Sequence, residues 1–182
     1  MSRINVVTRD TADAEQTTLL TAIQDKFGMV PNFLGVFANS PDALKAFIGL
    51  HGIAESGSLD APTRERIALA VAQDNACEYC LSAHTAIGRK AGLTGSEIEA
   101  NRAGTSDNVK AAAAVAFAKA LNDNLGDVTD TEIEAVRDAG YGDAEIVEII
   151  THVGMNILTN LIGKASKVDI DFPKVALRER AA

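Results

Sequence analysis

Every strong punctuation mark in this chain starts or stops a helix. Ser40-Pro41-Asp42 pairs a capping hydroxyl with proline at the first helical position, and Asp60-Ala61-Pro62-Thr63 repeats the device. Thr94 reads as another N-terminus, as does Thr129 with Glu132 three places on. Gly28, Gly92, Gly126 and Gly140 fall where apolar periodicity stops. No segment alternates with period two for long enough to make a strand. The chain is therefore expected to be all-α and multihelical, with about eight to nine helices.

The expected helices follow in order. One runs from Thr11 or Asp13 to about Lys26. A short apolar one follows Pro31, and a third runs from Pro41 to about Glu55. The fourth opens at Asp60 and reaches about Ala72. The fifth is opened by the segment holding both cysteines and closed by Gly92. Thr94 to Asn101 is short. Asp107 starts a long alanine-rich helix ending near Leu125, and a short one lies between Thr129 and Gly140. The last runs from Asp143 to about Lys164. Between Ile146 and Ile162 its apolar residues cover most of the circumference, which implies a central helix or a contact between copies. No linker divides the chain, so residues 1–182 are expected to form one domain, with a core at 10–168 and a surface tail at 169–182. Aromatic residues are only 4% of the chain, so aliphatic side chains and alanine must fill the core.

The net charge of −8 and the lack of a basic stripe make the chain a poor binder of nucleic acid. The first residues lack the apolar run of a secretory signal, and no uninterrupted apolar stretch reaches membrane-spanning length. A cytoplasmic location away from membranes is expected. In a reducing compartment, two cysteines point to redox or metal chemistry rather than a structural staple.

Both cysteines and one of the three histidines lie in Asn75-Ala-Cys-Glu-Tyr-Cys-Leu-Ser-Ala-His84. On a helix, Cys77, Cys80 and His84 share one face. Unpaired N–H groups at the helix start favour a thiolate, the sulfurs can close into a disulfide, and the imidazole can exchange a proton with Cys80. A carboxylate would orient that imidazole. The candidates are Glu65 on the preceding helix, Glu78, which points off the shared face, and Asp74, which could simply cap the fifth helix. Plainer readings stand beside this one. The cysteines could be small buried hydrophobes, Glu65 a solvated first-turn acid, and Tyr79 either a pocket wall or a packing residue. Cys77, Cys80, His84 and Glu65 could also ligate zinc, although a second close cysteine pair is missing. His51 and His152 have no such partner in sequence. His152, with Asn156 one turn on, is expected to be hydrogen-bonded in the core.

Glu65, eleven residues, Cys77-x-x-Cys80, three residues and His84 together resemble the signature of alkylhydroperoxidase D-like proteins of the carboxymuconolactone decarboxylase superfamily. Gly28-Met-Val-Pro-Asn-Phe33, Ser40-Pro41 and Asp171-Phe-Pro173 are similar to its peroxidase-related branch, so the likeness covers most of residues 20–173. The resemblance implies the AhpD-like fold and a thiol-dependent hydroperoxide reductase serving antioxidant defence. Cys80 would attack the peroxide, Cys77 would resolve the resulting sulfenic acid into a disulfide that a reductant meets, and Glu65 and His84 would move the protons. The thiol pair would hold the electrons, without metal, haem or flavin, and an external thiol reductant would reset it. The resemblance also implies a homo-oligomer, a trimer or hexamer. In one departure, some members carry a histidine just before the second cysteine, where this chain has Tyr79. The decarboxylase branch proper does not rely on a CxxC pair. The alternatives are a thiol redox sensor or binding module without turnover, and another activity of the superfamily.

Overall fold

The computed structural model describes residues 2–178, and among them are nine helices and no strand. They are α1 (Ala14–Phe27), α2 (Asn32–Phe37), α3 (Pro41–Glu55), α4 (Ala61–Asp74), α5 (Glu78–Lys90), α6 (Gly95–Arg102), α7 (Val109–Asp123), α8 (Asp130–Asp138) and α9 (Asp143–Ser166). Local chemistry explains most boundaries. Asp13 caps α1 and forms a reciprocal box with Gln16, while Gly28 ends it in the left-handed region at φ 76°. Ser40 and Asp60 cap α3 and α4 as their side chains suggest. One start differs: α7 is capped by Asn108 rather than Asp107. The Asp107 N–H is held by the Glu97 carboxylate at 2.8 Å, which keeps that residue in the loop.

The most enclosed helix is α4, which packs against α5, α6, α7 and α9. Its run from Ile67 to Ala72 is buried without a break. Of the two expectations for the last helix, a central helix or a contact between copies, the first is not met. α9 is buried on one side, through Ile146, Ile149, Val153 and Met155, but Val147, Ile150, Leu158 and Leu161 remain exposed. By length and composition alone its 24 residues are long and apolar enough to cross a membrane, a property hidden from a search for an uninterrupted apolar run. Here α9 packs against α2, α3, α4, α5 and α7, with buried polar residues His152, Asn156 and Asn160 on the packed side.

Three apolar clusters hold the helices together. Ile67, Val71, Phe117, Leu121 and Ile149 anchor the first, between α4, α7 and α9. The second surrounds the cysteines, with Leu69, Leu81, Leu93 and Ile98. The third joins α1, α2 and α3 through Leu20, Ile23, Leu34, Leu44 and Phe47.

Both termini depart from the expected core limits. The Val7 N–H bonds the Gly35 carbonyl at 3.0 Å and its side chain is buried, so the core begins before residue 10. The segment from 169 to 178 lies on the surface, as expected, but is held in place there. Ile170, Phe172, Val175 and Leu177 pack on the cysteine cluster, and the Val175 N–H donates to Ser82 Oγ at 3.0 Å. The last part of the expected tail, 179–182, lies outside the described residues.

Candidate active site

The turn entering α5 is built to present sulfur. Ala76 adopts φ 51°, a left-handed conformation that costs a residue with a Cβ about 1 kcal/mol. Its neighbours hold it there. The Asn75 amide donates to Asn122 and Asn160, and Lys164 Nζ donates to the Asn75 carbonyl at 2.6 Å. Cys77 then becomes the N-cap of α5, its Sγ accepting the Cys80 N–H at 3.3 Å. Cys77 and Cys80 are joined by a disulfide, with Cα atoms 5.3 Å apart. The bond rests against α9 at Gly163, where an added Cβ would stand 3.2 Å from Cys77 Sγ and 3.6 Å from Cys80 Sγ. Glycine there lets helix and disulfide meet.

Glu65, from α4, is brought to the same place. Gly88 on α5 faces it: a Cβ there would lie in ordinary contact with Glu65 Cβ at 3.8 Å and crowd only Leu93 Cδ1, at 3.1 Å. Glu65 Oε2 and His84 Nδ1 are 2.9 Å apart, with side chains 15% and 22% exposed. A carboxylate only accepts, so Nδ1 carries the hydrogen and Nε2 of the neutral ring is free to take a proton. His84 is one turn beyond Cys80 on α5. The competing acids are engaged elsewhere: Glu78 faces Lys174 at 3.4 Å, and Asp74 pairs with Lys119 at 2.8 Å.

Cys80, Glu65 and His84 line a cavity of about 290 Å³; Cys77 does not. In a chain this poor in aromatics, four of the six Phe and one of the two Tyr line it. Tyr79 is a wall of this cavity, and a fixed one. Its O–H donates to Asp171 Oδ1 at 2.7 Å and accepts the Phe33 N–H at 3.4 Å, and its ring meets those of Phe33 and Phe172 edge-on. Burial and the Asp171 carboxylate both push the phenol up, so it stays neutral.

All three histidines line this one cavity. His51, which had no evident partner in sequence, has Glu55 one turn on, with Nδ1 3.3 Å from Oε2, and its ring lies against Phe27 and Phe47. The i, i+4 spacing was the signal that could have found it. His152 is 3% exposed and hydrogen-bonded to the Ala54 carbonyl. Burial lowers both pKa values; for His152 the Arg64 charge adds to burial, and for His51 Glu55 opposes it. Sequence reading marked the Asp171-Phe-Pro173 motif but not the bond from Tyr79 to Asp171, because that bond joins segments far apart in the chain. Among the described residues, no three His, Cys, Asp or Glu side chains converge as a metal site.

Residues 41–123, which hold Glu65, Cys77, Cys80 and His84, match the model of the carboxymuconolactone decarboxylase family. The chain matches none of the curated proteins. Among solved structures, it is similar to a peroxidase-related protein with an alkylhydroperoxidase AhpD core from Ralstonia eutropha: 24% identity, 93% of this chain and 92% of that one covered, TM-score 0.83. A peroxidase-related protein from Silicibacter sp. is 25% identical over 93% of this chain and 94% of that one, with a TM-score of 0.78. The debrominase Bmp8, in a cysteine-to-alanine form holding 2,3,4-tribromopyrrole, is 19% identical over 94% and 92% of the two chains, with a TM-score of 0.79. The carboxymuconolactone decarboxylase match thus covers the cysteine-bearing helices, and the AhpD-like fold is shared over nearly the whole length of this chain.

Proposed function

We propose that the protein is a thiol-dependent hydroperoxide reductase with Cys80 as the attacking sulfur. The observation that carries this reading is the Glu65–His84 pair at 2.9 Å, one helical turn from the cysteine that lines the cavity. His84 Nε2 takes the Cys80 proton, and the thiolate attacks the terminal oxygen of R–O–O–H. The O–O bond breaks, Cys80 becomes a sulfenic acid, and the alkoxide leaves with the proton held by His84. Cys77 then attacks that sulfur, and the sulfenic oxygen departs as water with the Cys77 proton. The bonded Cys77–Cys80 pair corresponds to the oxidised end of such a cycle. The thiols supply both electrons, and an external thiol restores them.

The test is peroxide consumption with dithiothreitol, in the parent and in Cys80→Ser. Turnover in the parent that disappears in the variant is the expected result. A parent that cycles between dithiol and disulfide yet consumes no peroxide would overturn the reading in favour of a redox sensor. A second reading is favoured by the aromatic residues crowded around Cys80: the same thiol pair could remove halogen from an aromatic ring, as the debrominase's name describes for that protein. Halide release from a bromopyrrole, measured beside the peroxide assay, separates the two.

The protein also reads as a cytoplasmic homo-oligomer, a trimer or hexamer. Val147, Ile150, Leu158 and Leu161 form an apolar stripe on α9 that one copy leaves in water. Light scattering at micromolar concentration is expected to give a multiple of 19.1 kDa, and a strictly monomeric mass would end this part of the proposal.

A further inference from the structure

Most polar side chains lining the cavity of about 290 Å³ are engaged with partners of their own. Glu65 bonds His84, Tyr79 donates to Asp171, Lys26 bonds Glu55, and Arg64 Nη1 donates to the Leu59 carbonyl. Asn156 is the buried exception. It is 4% exposed and lines the cavity from α9. Its Nδ2 donates to the His152 carbonyl at 2.8 Å. A carbonyl only accepts, so that bond fixes the orientation of the amide and turns Oδ1 away from it. Among the described residues, Oδ1 has no hydrogen-bond partner. A buried acceptor without a donor is costly, so a ligand that brings one gains more there than at the surface.

The position of Asn156 sets what that ligand must look like. The disulfide rests against Gly163, and Asn156 precedes that glycine by close to two helical turns, so both occupy one face of α9. The rise along the helix places the acceptor about 10 Å from the sulfurs. The lining also holds apolar Phe33, Leu34, Phe47 and Ala83. A molecule that reacts at Cys80 and reaches Asn156 therefore has an apolar body with a donor at its far end.

We infer that the cavity selects an apolar molecule carrying a hydroxyl or N–H about 10 Å from its reacting end, held by Asn156 Oδ1. The identity of the reacting group, a hydroperoxide, rests on the reading above; the acceptor site does not. A carboxylate is disfavoured at this end, because it has no hydrogen to give to Oδ1.

Binding of unreactive probes to the oxidised protein tests the inference without turnover. In calorimetric titrations, 4-isopropylbenzyl alcohol should bind about tenfold more tightly than its methyl ether, which keeps the oxygen but donates nothing. In Asn156→Leu that preference should vanish through loss of affinity for the alcohol, and Asn156→Ala gives the same reading should the leucine variant not fold. Equal binding of alcohol and ether by the parent, or a preference that survives either substitution, would overturn the proposal. So would tighter binding of 4-isopropylbenzoate than of the alcohol, which would give the polar end to Arg64. In turnover, 4-(hydroxymethyl)cumene hydroperoxide should show a KM about tenfold below that of its methyl ether at similar kcat. A donor preference in a protein that consumes no peroxide would sink the hydroperoxide reading and leave the acceptor site standing. Turnover of both hydroperoxides with equal KM would do the reverse.

Discussion

Replacing Gly163 by alanine tests whether α9 is the seat of the disulfide. The new Cβ would stand 3.2 Å from Cys77 Sγ and 3.6 Å from Cys80 Sγ, so the sulfurs or the helix must give by a few tenths of an ångström. Overpacking of this kind costs about 1–3 kcal/mol. Alanine recovers up to about 1 kcal/mol through its better helix propensity, leaving a net loss of about 0–2 kcal/mol. Gly49→Ala is the internal control. Gly49 lies in α3 with nothing within 4 Å of the position of its Cβ, so only the propensity gain of about 0.5–1 kcal/mol applies. The oxidised variants should therefore differ by about 1–3 kcal/mol in opposite directions. A 2 kcal/mol gap corresponds to about 4–8 °C in melting temperature for a domain of this size. Thermal unfolding of oxidised and reduced protein is the assay. The gap should narrow on reduction, because a freed Cys77 sulfur can rotate away from α9. If Gly163→Ala and Gly49→Ala raise the melting temperature equally, the contact is not a constraint and the seat has been misplaced.

Glu65→Gln removes the carboxylate from His84, so reduced cysteines should alkylate more slowly near neutral pH and peroxide turnover should fall by about 100-fold. An unchanged alkylation profile across pH would take Glu65 out of the relay. Tyr79→Phe deletes the hydrogen bond to Asp171 and should cost about 1–2 kcal/mol in urea unfolding. Unaltered stability would show that the bond to Asp171 does not hold the C-terminal segment in place. Acid should weaken the fold in two stages. His51 and His152 have pKa values lowered by burial, so the unfolded chain binds more protons below its value of about 6.5, and stability falls as pH drops through that point towards the folded values. Burial opposes ionisation of Glu97, but hydrogen bonds from Ser106, Arg66, the Asp107 N–H and Asn101 outweigh it and hold the carboxyl at about 2, so a second loss follows as pH falls from about 4.5 to about 2. Melting temperatures across this range check both stages. His152→Gln should flatten the first alone, and an unchanged first stage would clear His152.

The helical scaffold was readable because its signals are local. A cap such as Ser40 or Asp60 bonds an N–H three residues away, and a stop such as Gly28 depends only on its own backbone angle. The phase of Cys77, Cys80 and His84 was readable for the same reason, and Glu65 was legible only through its spacing to them. The sequence left open whether α9 is central or a contact between copies, because apolar count does not measure enclosure. The continuous buried run in α4 is short, while α9 is longer and more apolar yet leaves a stripe in water.

By itself, the sequence determined where helices begin and end and which side chains share a helical face, since those depend on neighbours within one turn. Only the tertiary structure decided that Glu65 bonds His84, that Cys80 lines the cavity while Cys77 lies against Gly163 outside it, and that Tyr79 is pinned by Asp171. Each of those contacts joins groups on different elements. Close packing of whole helices sets their separation, and Gly163 allows the final approach of α9 to the disulfide.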